Sequence, residues 1–261
     1  MESVDGGAIF HLESIVIVPR LHPGVPPELV VHDEEAHCPY LPGRVSRLPL
    51  RLPARALDRG ELDQRLALGD RRQGVVLYRT ACPECQACVP LRVPVTSFKP
   101  DRAQRRALSR GDAELRVEVG DPKVDPRRVE LYNLHREGRG LADEQPLIDE
   151  EGYHDFLVDT CCDCFEIRYY RGKELVGVAV TDRGERSLSA VYCYYDPKFR
   201  GVGIGTYSIL KQIQLSASWK LDHLYLGLFI AESSKMAYKA RFLPHERLQH
   251  GRWVCFDRPG N

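Results

Sequence analysis

The chain has 261 residues with 37 basic and 37 acidic side chains, so it is long enough for one large or two modest domains. Its balanced charge excludes a global basic field, and a nucleic-acid partner would have to be held by local patches. No apolar run approaches the ~20 residues that span a membrane. The opening MESVDGGAIF lacks the basic and apolar regions of a signal peptide. A cytoplasmic protein with no membrane partner is expected. Nine cysteines, odd in number and unevenly clustered, argue against a disulfide framework and toward metal or thiol chemistry.

In chain order, residues 9–18 read as a first strand ended by Pro19, and 23–27 as loop. The turn-rich stretch 32–44 carries His32, His37 and Cys38. Proline at 49 and 53 makes the next segment extended, 61–68 reads as a short helix, and 74–80 as a strand. That strand leads into Cys82, Cys85 and Cys88, two overlapping C-x-x-C steps. Such a step turns both sulfurs toward one metal ion, so the run can supply three ligands. The fourth would come from elsewhere, with Cys38 the first candidate and His37 or His32 in reserve. Zinc and an iron–sulfur cluster both suit thiolate ligands, and the spacing does not choose between them.

After a short strand at 90–95, Asp101 is a natural cap for a helix bearing Arg102, Arg105, Arg106 and Arg110. These recur at three- and four-residue steps and cover the helix with guanidinium groups suited to phosphate. Strand 113–119, helix 126–137, loop 138–147 and helix 149–158 follow. Then come strands at 165–170, 175–181 and 187–195. Cys161, Cys162 and Cys164 make a poor ligand set for one tetrahedral ion, because neighbouring residues of extended chain point apart. Cys193 and Cys255 fall inside expected strands and read as core.

Next comes Arg200-Gly201-Val202-Gly203-Ile204-Gly205, then helical spacing of Ile209, Leu210, Ile213 and Ala217, a strand at 223–230, a helix at 233–241 and a last strand at 252–256. Glycines at a helix N-terminus expose backbone N–H groups to an anion or an ester carbonyl. The pattern R-x-x-G-x-G resembles the pyrophosphate-binding motif of the GNAT acyltransferase fold, unlike the dinucleotide fingerprint G-x-G-x-x-G. From residue 113 the order β-α-α-β-β-β-α-β-α-β is that of a GNAT domain. An α/β (α+β) chain is expected, 1–111 holding the cysteines and 112–261 the GNAT-like pattern; two GNAT-like halves are what the resemblance to a transferase family, carried by the motifs that follow, implies.

Taken together, the motifs resemble the bacterial aminoacyl-tRNA–protein transferase family, in particular its aspartate/glutamate leucyltransferase branch. The matching residues are 38–42 (CPYLP), Tyr78, the Cys82/Cys85/Cys88 run with Pro90, 104–106 (QRR), 178–182, 189–192 (SAVY), Asp196-Pro197, Gly205-Thr206, 225–227 (YLG) and 236–242. The resemblance implies attack by a target protein's α-amino group on an aminoacyl ester of tRNA, marking that protein for degradation in the N-degron pathway. The implied partners are aminoacyl-tRNA, with leucine favoured and arginine the alternative, and proteins beginning with Asp or Glu. The transfer itself needs no cofactor, because the ester is already activated.

Tyr192, Tyr194 and Asp196, at the strand end facing the glycine turn, are the candidate catalytic residues. Asp196 would hold the attacking ammonium or accept its proton. Gly203, Gly205 and Thr206 are candidates for the acyl ester. Arg44, Arg72 and Arg79 are candidates for gripping an acidic side chain. Lys235, Lys239 and Arg241 would join the arginine helix on tRNA. The chain departs from the family where Ser-Leu-Gly is usual before the central helix and Val202-Gly203-Ile204-Gly205 stands instead. Gly227-Leu228-Phe229-Ile230 likewise replaces the usual Gly-Tyr-aromatic run. A conventional acyl-CoA-dependent GNAT enzyme and a non-catalytic cysteine metal sensor are the competing readings.

Overall fold

A computed structural model of the chain describes residues 20–22, 24–140 and 147–258. The strand read at 9–18 and residues 141–146 of the loop lie outside them. The N-terminal part gives β1 (Arg20–His22), β2 (Glu28–His32), β3 (Glu35–His37), β4 (Val45–Arg47), β5 (Leu50–Pro53), α1 (Arg59–Ala67), β6 (Arg71–Gln73), β7 (Val76–Tyr78), β8 (Val89–Pro94) and α2 (Arg102–Glu114). Then follow β9 (Arg116–Gly120), α3 (Pro126–Gly138), α4 (Glu150–Tyr153, continued by a π-turn to Val158), β10 (Cys164–Arg171), β11 (Glu174–Arg183) and β12 (Ser187–Tyr195). A 3-10 turn, Pro197–Val202, leads into α5 (Ile204–Ser218) and β13 (His223–Phe229). The chain closes with α6 (Ser234–Ala237, followed by a 3-10 turn to Arg241), β14 (His245–Gln249) and β15 (Arg252–Phe256).

Four helix starts are set by aspartate. Asp58, Asp101, Asp125 and Asp149 each accept the N–H three residues on, and Gln104 returns a bond to the Asp101 N–H, closing a capping box. The arginine-bearing helix runs to Glu114, so the strand read at 113–119 begins only at Arg116. The strand read at 74–80 is a hairpin of β6 and β7 turning at Gly74, whose φ of +54° favours glycine. The helix read at 233–241 is helical only to Ala237 and tightens to a 3-10 turn.

The main sheet has eight strands in the order β15-β14-β8-β13-β12-β11-β10-β9. Of β11, nine of ten residues are half-buried or buried, and eight are buried, which is why LVGVAV is apolar without alternation: both faces are covered. On one face α5 buries Ile204, Tyr207, Ile209, Leu210 and Ile213. Each such aliphatic side chain contributes roughly 1.5–3 kcal/mol by leaving water. On the other face α3 and α4 pack Leu131, Tyr132, Tyr153 and Leu157. This is a GNAT-like α/β arrangement.

A second, antiparallel sheet runs β1-β2-β5-β7-β6, with β3 and β4 forming a separate ribbon. It is tied to the main sheet by Arg72–Asp182, by Arg71 donating to Ser189 Oγ, and by Asp63 accepting from Arg186 N–H and Ser187 Oγ. The division expected between 111 and 112 falls inside α2. Moreover, β8 lies between β13 and β14, so the N-terminal half supplies an interior strand of the larger sheet. Among the described residues no helix is long and apolar enough to cross a membrane.

Candidate active site

Among the described strands only β12 and β13 pair in parallel, and they do so over just three residues each, Ser187–Ser189 with His223–Tyr225. Beyond these, β12 stays with β11 as far as Tyr195, while β13 stays with β8 as far as Phe229. The two strands therefore diverge toward their carboxyl ends, where open sheets of parallel strands place ligands. A cleft of about 900 Å³ occupies the opening. Its walls include Ala190, Val191 and Tyr192 of β12, Leu226, Gly227 and Leu228 of β13, and Ala103, Gln104 and Ala107 of α2. Gly203, Gly205, Thr206 and Ile209 come from the start of α5. His135, Arg136 and Arg139 come from the end of α3, and Tyr40, Arg71 and Tyr78 from the N-terminal half.

The cleft is cationic although the chain is neutral. Arg71, Arg72, Arg136, Arg139, Lys235, Lys239 and Arg241 line it, against one carboxylate among the described residues, Asp101, which already accepts the Gln104 N–H at 2.7 Å. Such a wall suits anionic substrates. Lys239 is buried and donates to Leu228 O (2.6 Å). Burial, then the Arg71 guanidinium, holds its ammonium down to about 7. Arg71 is buried too, donating to Ser189 Oγ (2.9 Å) and Ala190 O (2.8 Å).

Gly203, with φ +80°, turns the chain into α5, and no side chain caps that helix. The first N–H groups of α5 thus have no intrahelical partner, and they sit where Gly203, Gly205 and Thr206 line the cleft. Arginines surround the turn: Arg110 donates to Gly201 O and Arg200 to Gly138 O (3.0 Å). His135 accepts the Tyr195 N–H at 3.3 Å. Burial, then Arg139 and Arg200, lowers its pKa to about 4, so it is neutral at pH 7.

The expected site residues divide into two sets. Tyr192, Gly203, Gly205, Thr206, Lys235, Lys239 and Arg241 meet at the cleft. Tyr192 sits in an aromatic group with Tyr132, Phe156 and His135, and burial pushes its phenol up. Arg72 reaches the wall, but its guanidinium is paired with Asp182. Tyr194, two residues on and on the same α3-facing side as Tyr192, is fully buried beneath and hydrogen-bonded to the Tyr153 hydroxyl. Asp196 caps the Pro197–Val202 turn through the Lys198 N–H (2.9 Å) and pairs with Lys198 Nζ (3.0 Å), away from the cleft walls. Arg44 is exposed on a loop, and Arg79 pairs with Asp70 (2.9 Å). Arg102, Arg105, Arg106 and Arg110 are exposed on the outer side of α2, whose Gln104 donates to Arg241 O (3.0 Å), so this ridge adjoins the rim. Arg71 was not anticipated. Recognising 71–73 as a strand would have exposed it, because consecutive residues then serve different partners.

Cys38, Cys82, Cys85 and Cys88 come together near Tyr40. Burial and the thiols of Cys82, Cys38 and Cys85 push Cys88 up to about 12. Soft thiol donors of this kind fit zinc or an iron–sulfur cluster, and a cation there would reverse that shift. Among the described residues only His154, Asp155 and Asp159 gather three ligand atoms within 4.8 Å of one another, so the four sulfurs are less tightly drawn in. His32 and His37 are exposed. Cys161 and Cys162 are buried, whereas Cys255, expected in the core, is exposed on the edge strand β15.

Family models described as the N terminus and the C terminus of arginine-tRNA–protein transferase match residues 36–106 and 127–249. The chain belongs to the arginine-tRNA–protein transferase family. It is an aminoacyltransferase. The aspartate/glutamate leucyltransferase of Thiobacillus denitrificans is 37% identical over 244 residues, 91% of this chain and 100% of that protein. That of Chromobacterium violaceum is 36% identical over 220 residues, 83% of this chain and 89% of that protein. Among solved structures, the C-terminal domain of a putative lysylphosphatidylglycerol synthetase from Agrobacterium fabrum matches at TM-score 0.47 and 11% identity. It covers 66% of this chain and 59% of that one, too distant a likeness to bear on function. The first family segment holds the cysteine run and the cleft residues Tyr40, Arg71 and Tyr78, and the second holds the β12–β13 opening.

Proposed function

We propose that the chain transfers leucine from its tRNA to the α-amino group of proteins beginning with Asp or Glu. The observation that carries this reading is the cleft's lining of Arg71, Arg136, Arg139, Lys235, Lys239 and Arg241 against one engaged carboxylate among the described residues. An aminoacyl-tRNA 3′ end and an acidic N-terminus are both anionic. An arginyl side chain would need a carboxylate in the donor pocket, whereas Ala103, Ala107, Ile209 and Phe242 offer apolar surface suited to leucine. The relatives named as leucyltransferases favour the same donor.

In this reading the terminal nucleotides meet the N–H groups of α5 and the arginines about the Gly201–Gly205 turn. The acceptor stem follows Arg102, Arg105, Arg106 and Arg110, with Lys235 and Arg241 on the rim. The α-amine attacks the ester carbonyl, the peptide bond forms, the ester C–O bond breaks, and the departing ribose hydroxyl gains the proton the amine loses. An α-amino group with a pKa near ~7.7–8.0 is neutral often enough to act, so positioning and oxyanion donors supply most of the rate. Cys38, Cys82, Cys85 and Cys88 would hold a structural zinc or iron–sulfur group beside Tyr40, not needed for the transfer chemistry. The reaction belongs to the cytoplasm, where aminoacyl-tRNA is made, and its product enters N-degron degradation.

The test offers Asp- and Glu-initiated peptides with Leu-tRNA, Arg-tRNA or acetyl-CoA. Transfer of leucine is expected, and transfer only from acetyl-CoA would sink the reading.

A further inference from the structure

We propose that Arg71 and Lys239 together grip the side-chain carboxylate of the acceptor's N-terminal Asp or Glu, an inference that rests on the transferase reading. Both cations are buried, each 8% exposed. Among the described residues four other buried arginines carry carboxylates: Arg51 and Arg65 with Glu28, Arg72 with Asp182, Arg128 with Glu166. Among the described residues Arg71 has only the Ser189 hydroxyl and the Ala190 carbonyl, and Lys239 only the Leu228 carbonyl and the Met236 sulfur. A buried cation without a counter-charge costs several kcal/mol, and two side by side repel. A site that keeps both open toward a cleft is arranged for an anion that arrives with the substrate.

The backbone is shaped for the pair. Between Tyr225 and Gly227 the β13–β8 ladder bulges, and Gly227 takes φ +80°. A Cβ there would stand 3.1 Å from Arg71 Nη2, so glycine lets the guanidinium lie against the strand. The next carbonyl, Leu228 O, holds Lys239 Nζ at 2.6 Å. Two consecutive residues therefore seat both cations on one cleft wall. Tyr40 and Tyr78 close the same region and offer hydroxyl donors. A guanidinium fork and an ammonium can together saturate the oxygens of one carboxylate, whereas an amide would bring its own N–H donors against them.

The test compares peptides beginning with Asp, Glu, Asn and Gln on wild type, Lys239→Met and Arg71→Lys, with aminoacyl-tRNA saturating. KM for the Asp and Glu peptides is expected to rise on the order of tenfold to a hundredfold, more than kcat falls, with KM for aminoacyl-tRNA unchanged. The preference of Asp over Asn should shrink toward unity. Arg71→Lys keeps the charge and loses the fork, so it separates recognition from a failure to fold, with thermal melting as the control. Calorimetry with the Asp and Asn peptides alone reads the pocket without any donor. If wild type binds Asp over Asn but transfers no amino acid, the pocket stands and the transferase reading falls. If both variants keep the Asp preference, or only KM for aminoacyl-tRNA rises, the cations serve the donor and the proposal is overturned.

Discussion

Arg72 and Asp182, 110 positions apart in sequence, form an ion pair at 2.7 Å with each side chain 1% exposed. The pair joins β6 of the smaller sheet to β11 of the main sheet behind the cleft. Removing one partner strands a buried charge, so Arg72→Met and Asp182→Asn should each cost about 3–5 kcal/mol in urea unfolding. The combination Arg72→Met with Asp182→Leu should recover part of that loss. Equal stability of single and double variants would show that the pair does not hold the sheets together.

Acid should weaken the protein through His135. Its folded pKa, about 4, lies below the ordinary value of 6.5, because burial and then Arg139 and Arg200 oppose the charged ring. Between pH 6.5 and 4 the unfolded chain binds a proton that the folded chain refuses, so stability falls as pH drops through that window and is fully present above it. His135→Gln, which still accepts from the Tyr195 N–H, should flatten the pH dependence of the urea midpoint over this range.

Gly205 tests the donor site. A Cβ there would meet nothing closer than 3.8 Å from Tyr195, and valine is a better helix former than glycine. Gly205→Val should therefore leave the melting temperature intact while crowding the α5 N-terminus. KM for aminoacyl-tRNA should rise on the order of tenfold, about 1.4 kcal/mol, with KM for the acceptor peptide unmoved.

The arginine ridge on α2 should show itself in salt. Arg102 and Arg106 are exposed, and neither lines the cleft. Arg102→Gln with Arg106→Gln should weaken tRNA binding and reduce the slope of log affinity against log salt by roughly 0.7–0.9 for each phosphate that is no longer neutralised. An unchanged slope would remove the ridge from the tRNA path.

For the cysteines, metal analysis and the absorption spectrum of anaerobically purified protein should reveal zinc or an iron–sulfur chromophore that Cys88→Ser removes. Metal-free protein should still transfer, since the ester supplies the activation.

The C-terminal elements were legible because covered strands and capped helices write themselves locally. Strands 187–195 and 252–256 lie where β propensity put them, and Asp101 caps its helix. The cleft's glycines were legible too, being tied to one turn. What sequence could not supply was pairing across the chain. Asp196 reads as a catalyst from sequence, yet Lys198 pairs with it, and Arg72 reads as a substrate grip, yet its guanidinium lies on Asp182. Arg71 went unseen because its partners, Ser189 and Ala190, lie more than a hundred residues away.

The position of β8 bears on how the molecule is made. Leu91 and Val93 end fully buried between β13 and β14, yet those partners span 223–229 and 245–249, more than a hundred positions further along the chain. For most of synthesis this apolar strand has both edges open, a template for pairing with other chains. Its closure depends on pairing across long sequence separations, the kind that forms slowly. The nascent chain should therefore lean on chaperones until β13 and β14 have emerged, and the two halves cannot be exchanged between relatives as independent cassettes.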